Sequence, residues 1–149
     1  MEGADPMTEA HLTAAELDLL RAFHGHLGPY ALAGVRAGRY AVAKLQADRH
    51  FGMEADVYCP DAPPPSCFMD GIQWSTGCTL GKRNIRHHAA DGVEARFLNR
   101  RTGESFGIRL RPEAVNAAVE VMKQHGDEAG AAALDALSDD ELLEEIADL

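Results

Sequence analysis

Residues 28–46 constrain the fold more than any other stretch. Gly28-Pro29 interrupts the chain and restarts a helix, because proline at the first helical position gives up no hydrogen bond that the helix needs. Gly34, Gly38 and Ala41 then recur at helical spacing and leave a flat strip on which another backbone can lie closely. Leu32, Val35, Val42 and Leu45 supply apolar bulk. A helix of this kind, running to Gln46 or Asp48, belongs at the centre of a core.

The flanking sequence supplies its partners. Thr13-Ala14-Ala15-Glu16 is a capping box, with Leu12 and Leu17 placed to staple it, and opens a short helix to about Phe23. Residues 55–59, ADVYC, read as a strand that the Pro-rich CPDAPPPS stops. Ser66 is expected to cap a helix over residues 67–76, ended by Gly77, and TGCTLGKRNI to form a loop. VEARFLN and ESFGIRL bracket Arg100-Arg101-Thr102-Gly103 as two strands of a hairpin or meander. Pro112 opens a helix to about His125. A second box, Ser138-Asp139-Asp140-Glu141, opens an amphipathic helix expected to reach the C-terminus. The fold class that follows is α+β, helices packed around a small, mainly antiparallel sheet in a single domain, as suits 149 residues. Residues 1–12 read as a flexible leader, 13–125 as the core domain and 126–149 as an acidic helical extension.

Charge narrows the function classes. The chain carries a formal net charge of −10, and residues 127–148 hold nine of its 24 acids and no base. Nucleic acid is therefore not an expected partner. The basic stretch from Lys82 to Arg111 is expected to face the acidic tail of its own or another subunit. No apolar run approaches the ~20 residues of a bilayer span, and MEGADPMTEA lacks the features of an export signal, so no membrane association and a cytoplasmic location are expected. The cysteines, Cys59, Cys67 and Cys78, are odd in number and point to thiols or metal ligands rather than a disulfide frame.

Three constellations carry chemistry. In His24-Gly25-His26 the two imidazoles project to one side of an extended segment, just ahead of a helix N-terminus, and are candidate ligands for zinc, nickel or iron. Capping or packing by one ring, with the other solvated, is the alternative. Cys67 opens a helix whose dipole favours the thiolate, and Asp70, Gly71 and Trp74 share its face with Gln73 at the border. Burial as a small apolar residue is the alternative for Cys67. Thr76–Asn84 resembles a phosphate loop but has three residues between its glycines and Arg83 after Lys82, which excludes a Walker loop. Lys82, Arg83 and Arg86 remain available to an anionic group, or are simply solvated. With residues 67–76 helical, Cys67 and Cys78 stand on the order of 15 Å apart, too far to share one ion within a subunit. Cys78 is then a separate thiol or a group supplied across a dimer.

FHGHLGPYALAGVRAG (residues 23–38) and PPPSCFMDGIQWSTGCTLGKRNI (residues 63–85) resemble the FmdE-like family, which takes its name from formylmethanofuran dehydrogenase, over roughly residues 14–125. The resemblance implies an α+β core, commonly dimeric, with the HGH histidines and the cysteine before D-x-I-Q gathered at a metal site. Many relatives carry a cysteine where Gly28 stands, and some add a Cys-rich zinc finger that this chain lacks.

The expected ligands are thus His24, His26 and Cys67, holding a divalent transition metal, zinc first and nickel or iron next. Asp70 and Cys78 are the catalytic candidates, and Gln73, Trp74, Lys82, Arg83 and Asn84 the substrate-binding ones. The expected function is metal binding, as an enzyme of unassigned substrate or as an accessory subunit carrying a cofactor or small-molecule ligand. A homodimer is expected from the Gly34/Gly38 strip and the terminal helix.

Overall fold

A computed structural model describes residues 11–147. Residues 1–10, most of the expected leader, lie outside the described residues.

Thr13 and Glu16 form the reciprocal capping box and start α1 (Ala14–His24), which Gly25 ends in the left-handed conformation at φ +89°. Pro29 opens α2 (Pro29–Leu45), whose residues are nearly all buried. The small-residue strip meets α3 (Phe68–Thr76). A Cβ on Gly34 would stand 2.1 Å from the Phe68 carbonyl oxygen, and one on Gly71 would stand 2.0 Å from that of Ala31. The two backbones therefore touch, and only glycine at both positions permits it. The surface that suggested self-association is consumed within the chain.

The remaining elements are β1 (Met53–Cys59), β2 (Ile85–Ala89), β3 (Glu94–Asn99), β4 (Ser105–Leu110), α4 (Pro112–His125), α5 (Asp127–Asp135), α6 (Asp139–Leu142) and β5 (Leu143–Ile146). The five strands form one sheet in the order β2-β1-β3-β4-β5, with β1 and β2 parallel and the other pairs antiparallel. In β1 the alternation is strict: Met53, Ala55, Val57 and Cys59 are buried, while Glu54, Asp56 and Tyr58 lie half-buried on the other face. Phe97 and Ile108 extend the buried face, and helices cover it.

Two expectations are corrected here. Residues 85–89, read as loop and surface, form β2 by parallel pairing with β1. The amphipathic terminal helix is a single turn. Ser138 and Glu141 complete their box, but from Leu143 the chain becomes a strand that covers the edge of β4, with Leu143 opposite Leu110. Leu-Leu-Glu-Glu-Ile satisfies both helical and strand patterns, and the free edge of β4 decides between them. Arg109 then donates to Glu144 at 2.6 Å, joining the basic hairpin to the acidic tail of the same chain.

The central helix carries two buried arginines that no sequence pattern marks. Arg36, 1% exposed, donates to the carboxylates of Asp135 and Asp139 and to the carbonyls of Asp135 and Leu137. Arg39, equally buried, donates to Glu16 at 2.5 Å and to the His11 carbonyl. Carboxylates brought to a buried guanidinium offset much of its dehydration, so the acidic tail and α1 are riveted to α2 from two sides. No helix among the described residues is long and apolar enough to cross a membrane.

Candidate functional site

The contact between Gly34 and Gly71 sets the site, because it lays the first turn of α3 beside the turn that links α1 to α2. His24 closes α1, and its side chain is 8% exposed. Its Nε2 lies 2.8 Å from Asp70 Oδ2, and its Nδ1 lies 3.3 Å from the His26 carbonyl oxygen. Cys67 stands immediately before α3, after a single turn over Pro65–Cys67, and not within the helix. His24, Cys67 and Asp70 each offer a donor atom, and these atoms lie within 4.8 Å of one another.

Three of the residues singled out by spacing are thus brought together, with a change of parts. Asp70, expected to work beside the ligands, joins the donor group. His26 packs its ring against that of His24, centroids 4.6 Å apart, and directs Nε2 towards Asp127 Oδ2 at 3.9 Å. The thiol of Cys67 also differs from expectation. Burial, assisted by the negative charge of Asp70, pushes its pKa up rather than down. The carboxylate stands nearer than any benefit from the helix end.

A hollow of about 290 Å³ opens over this group. His24, His26 and Cys67 line it, together with Tyr30, Met122 and Asp127, and Pro29, Pro63 and Pro64 complete the walls. Asp70 and Gln73 contribute instead to a neighbouring hollow of about 270 Å³ with Met69, Leu80, Ile85 and His87. Spacing alone does not single out Tyr30, Met122 or Asp127. They come from three helices, and no local pattern in the sequence joins them.

The other candidates serve the 77–84 loop. Asn84 is fully buried; its amide donates to the carbonyls of His50 and Met53 and accepts from the Thr79 N–H. Gln73 Oε1 accepts from the Leu80 N–H. Cys78 is fully buried, and burial raises its pKa; its N–H donates to Thr76. Lys82 reaches Thr79 and lies 5.7 Å from the centre of the Phe51 ring, a cation–π distance. Arg83 is exposed, with φ +62°. Trp74 is half-buried, and its carbonyl accepts from Arg49. None of these six is among the residues that line the hollow over His24 and Cys67.

Arg86 is taken up by Asp56 and Glu54, and its hydrogen bonds hold the Asp56 carboxyl below its ordinary range. His88, expected to be solvated, bonds Asp56 at 2.9 Å and stacks on Tyr58. Cys59 is buried at the end of β1 with its pKa pushed up to about 11 by loss of solvent.

Three comparisons bear on what this arrangement belongs to. A probable S-adenosyl-L-methionine-binding protein of Archaeoglobus fulgidus is 38% identical over 71 residues, covering 45% of this chain and 19% of that protein. The chain therefore spans about a fifth of the length of that curated relative. Among solved structures, an FmdE-like protein of the tungsten formylmethanofuran dehydrogenase type from Syntrophus aciditrophicus superposes with a TM-score of 0.64 at 20% identity. The superposition covers 99% of this chain and 77% of that one, and shows a common fold. The family described as FmdE, molybdenum formylmethanofuran dehydrogenase operon, matches residues 23–147, from before the HGH turn to the last described residue. With most of its length inside that match, the chain belongs to the FmdE family.

Proposed function

We propose that this protein binds one divalent transition cation, zinc being the expected ion, through His24, Cys67 and Asp70, at the foot of a hollow that receives a small ligand. The donor geometry supports this reading most directly. Two donors that each stand about 2.1 Å from a shared cation are roughly 3 Å apart, and His24 Nε2 and Asp70 Oδ2 are separated by 2.8 Å.

The surroundings of the imidazole add to it. His24 faces an acceptor oxygen at each ring nitrogen, Asp70 at Nε2 and the His26 carbonyl at Nδ1, whereas a neutral ring has one N–H. If Nδ1–H donates to the carbonyl, the Nε2 lone pair meets the Asp70 oxygen, and a cation between them resolves the conflict. The donor types, one imidazole, one thiol and one carboxylate, suit zinc. A cation with three protein donors keeps a position open to water or a ligand and acts there as a Lewis acid.

The family's description in terms of an operon favours a second reading of the same site, that of an accessory protein holding the cation or its ligand for a partner enzyme.

Zinc and cobalt(II) titration of the metal-free protein tests the assignment. One ion per chain is expected, with a thiolate charge-transfer band from cobalt. The band should vanish in Cys67→Ser, and affinity should fall about 100-fold in His24→Ala and less than tenfold in His26→Ala. Unchanged stoichiometry in both His24→Ala and Cys67→Ser defeats the proposal.

A further inference from the structure

The hollow has two chemically different ends and an apolar middle. At its foot lie the donors His24 and Cys67; at its mouth stands Asp127, the first residue of α5. The Asp127 carboxylate makes no hydrogen bond among the described residues, and its one charged neighbour there is His26 Nε2 at 3.9 Å. Its side chain is 54% exposed, so a ligand can reach it. Between the two ends, prolines present wall with no N–H to offer, and the Tyr30 ring and Met122 thioether add a surface suited to flat apolar groups.

Charge balance points the same way. A divalent cation held by the Cys67 thiolate and the Asp70 carboxylate leaves a centre with no net charge, open to one further donor. Asp127 then remains as a negative group at the mouth, favouring a positive one opposite it.

From these features we infer that the ligand is a small zwitterion of roughly a dozen non-hydrogen atoms. It has an apolar or aromatic body, a carboxylate that meets the cation and an ammonium group that meets Asp127. The first contact rests on the metal reading above; the second rests on Asp127 alone.

Calorimetric titration of the zinc-loaded full chain with 4-(aminomethyl)benzoate and with benzoate separates the two contacts, zinc content being measured on the same samples. The zwitterion is expected to bind about fivefold more tightly than benzoate, the gain of one partly screened ion pair. Asp127→Asn, which keeps an acceptor at the start of α5, is expected to erase that advantage and to leave both the benzoate affinity and the zinc content as they were. Equal affinities in the unaltered protein, an advantage that survives Asp127→Asn, or no binding of either probe to protein carrying one zinc overturns the inference and leaves the metal reading intact. Failure to take up zinc overturns both.

Discussion

The turn at residues 24–31 and the loop at residues 77–84 look equally promising in the sequence, since each combines glycines with metal-ligating or cationic side chains. The structure uses them in opposite ways. In the loop, Asn84, Gln73, Thr76 and Thr79 bond to nearby groups, and Cys78 is sealed in the core. At the turn, His24 and Cys67 line a hollow, with Asp70 beside them and Asp127 short of partners at the rim. A polar residue whose bonds are all satisfied internally builds structure, while one held in place with bonding capacity left over is available to a ligand.

Substitutions can break this contrast. The largest effect is expected from Gly71→Ala, whose added carbon cannot avoid the Ala31 carbonyl and the Val35 nitrogen. Forcing α2 from α3 should cost more than about 3 kcal/mol in urea unfolding and should abolish tight zinc binding, because both rest on that contact. Asn84→Ala should come next, losing roughly 2–3 kcal/mol with its buried hydrogen bonds. If the loop is structural, zinc affinity measured on the folded fraction will not move; a large drop would merge the two regions.

Thiol reactivity sharpens the comparison without mutation. In the native metal-free protein Cys67, half-buried at the hollow, should alkylate ahead of Cys59 and Cys78, which are fully buried and should react only on unfolding. Zinc should protect Cys67 alone, as mass mapping of the labelled peptides would reveal.

The smallest effect concerns a third region, the outer face of the sheet. Hydrogen bonds from Arg86 lower the Asp56 pKa, so this carboxylate contributes stability that is fully present above its unfolded value near pH 4 and is lost as pH falls through the lowered folded value. Asp56→Asn should therefore flatten the stability curve below about pH 4, removing under about 1 kcal/mol at neutral pH. Acid unfolding monitored at several pH values would show it.

Much of the frame is legible in the chain itself. Both capping boxes, the Gly28-Pro29 restart, the end of α3 at Gly77 and the two strands around residues 100–103 depend on neighbours a few residues apart, and each forms where expected. What escapes is set by distant partners. The strand at residues 85–89 exists because β1 lies alongside it, and the one at residues 143–146 because β4 has an edge to fill. The same distinction holds at the site. The spacing picks out His24, Cys67 and Asp70, but which of Asp70 and His26 stands with the other two depends on how α1 and α3 meet. Asp127 and Met122 come from helices that close over the hollow from the far end of the chain.

Arg36 also orders events in time. Its carboxylate partners follow it by 99 and 103 positions, so on the ribosome the central helix is complete long before anything can neutralise its guanidinium. Until that late stretch leaves the exit tunnel, wrapping the core around Arg36 would strand a charge away from water. The nascent chain should therefore wait, uncompacted, for nearly its whole length before collapsing in one concerted step.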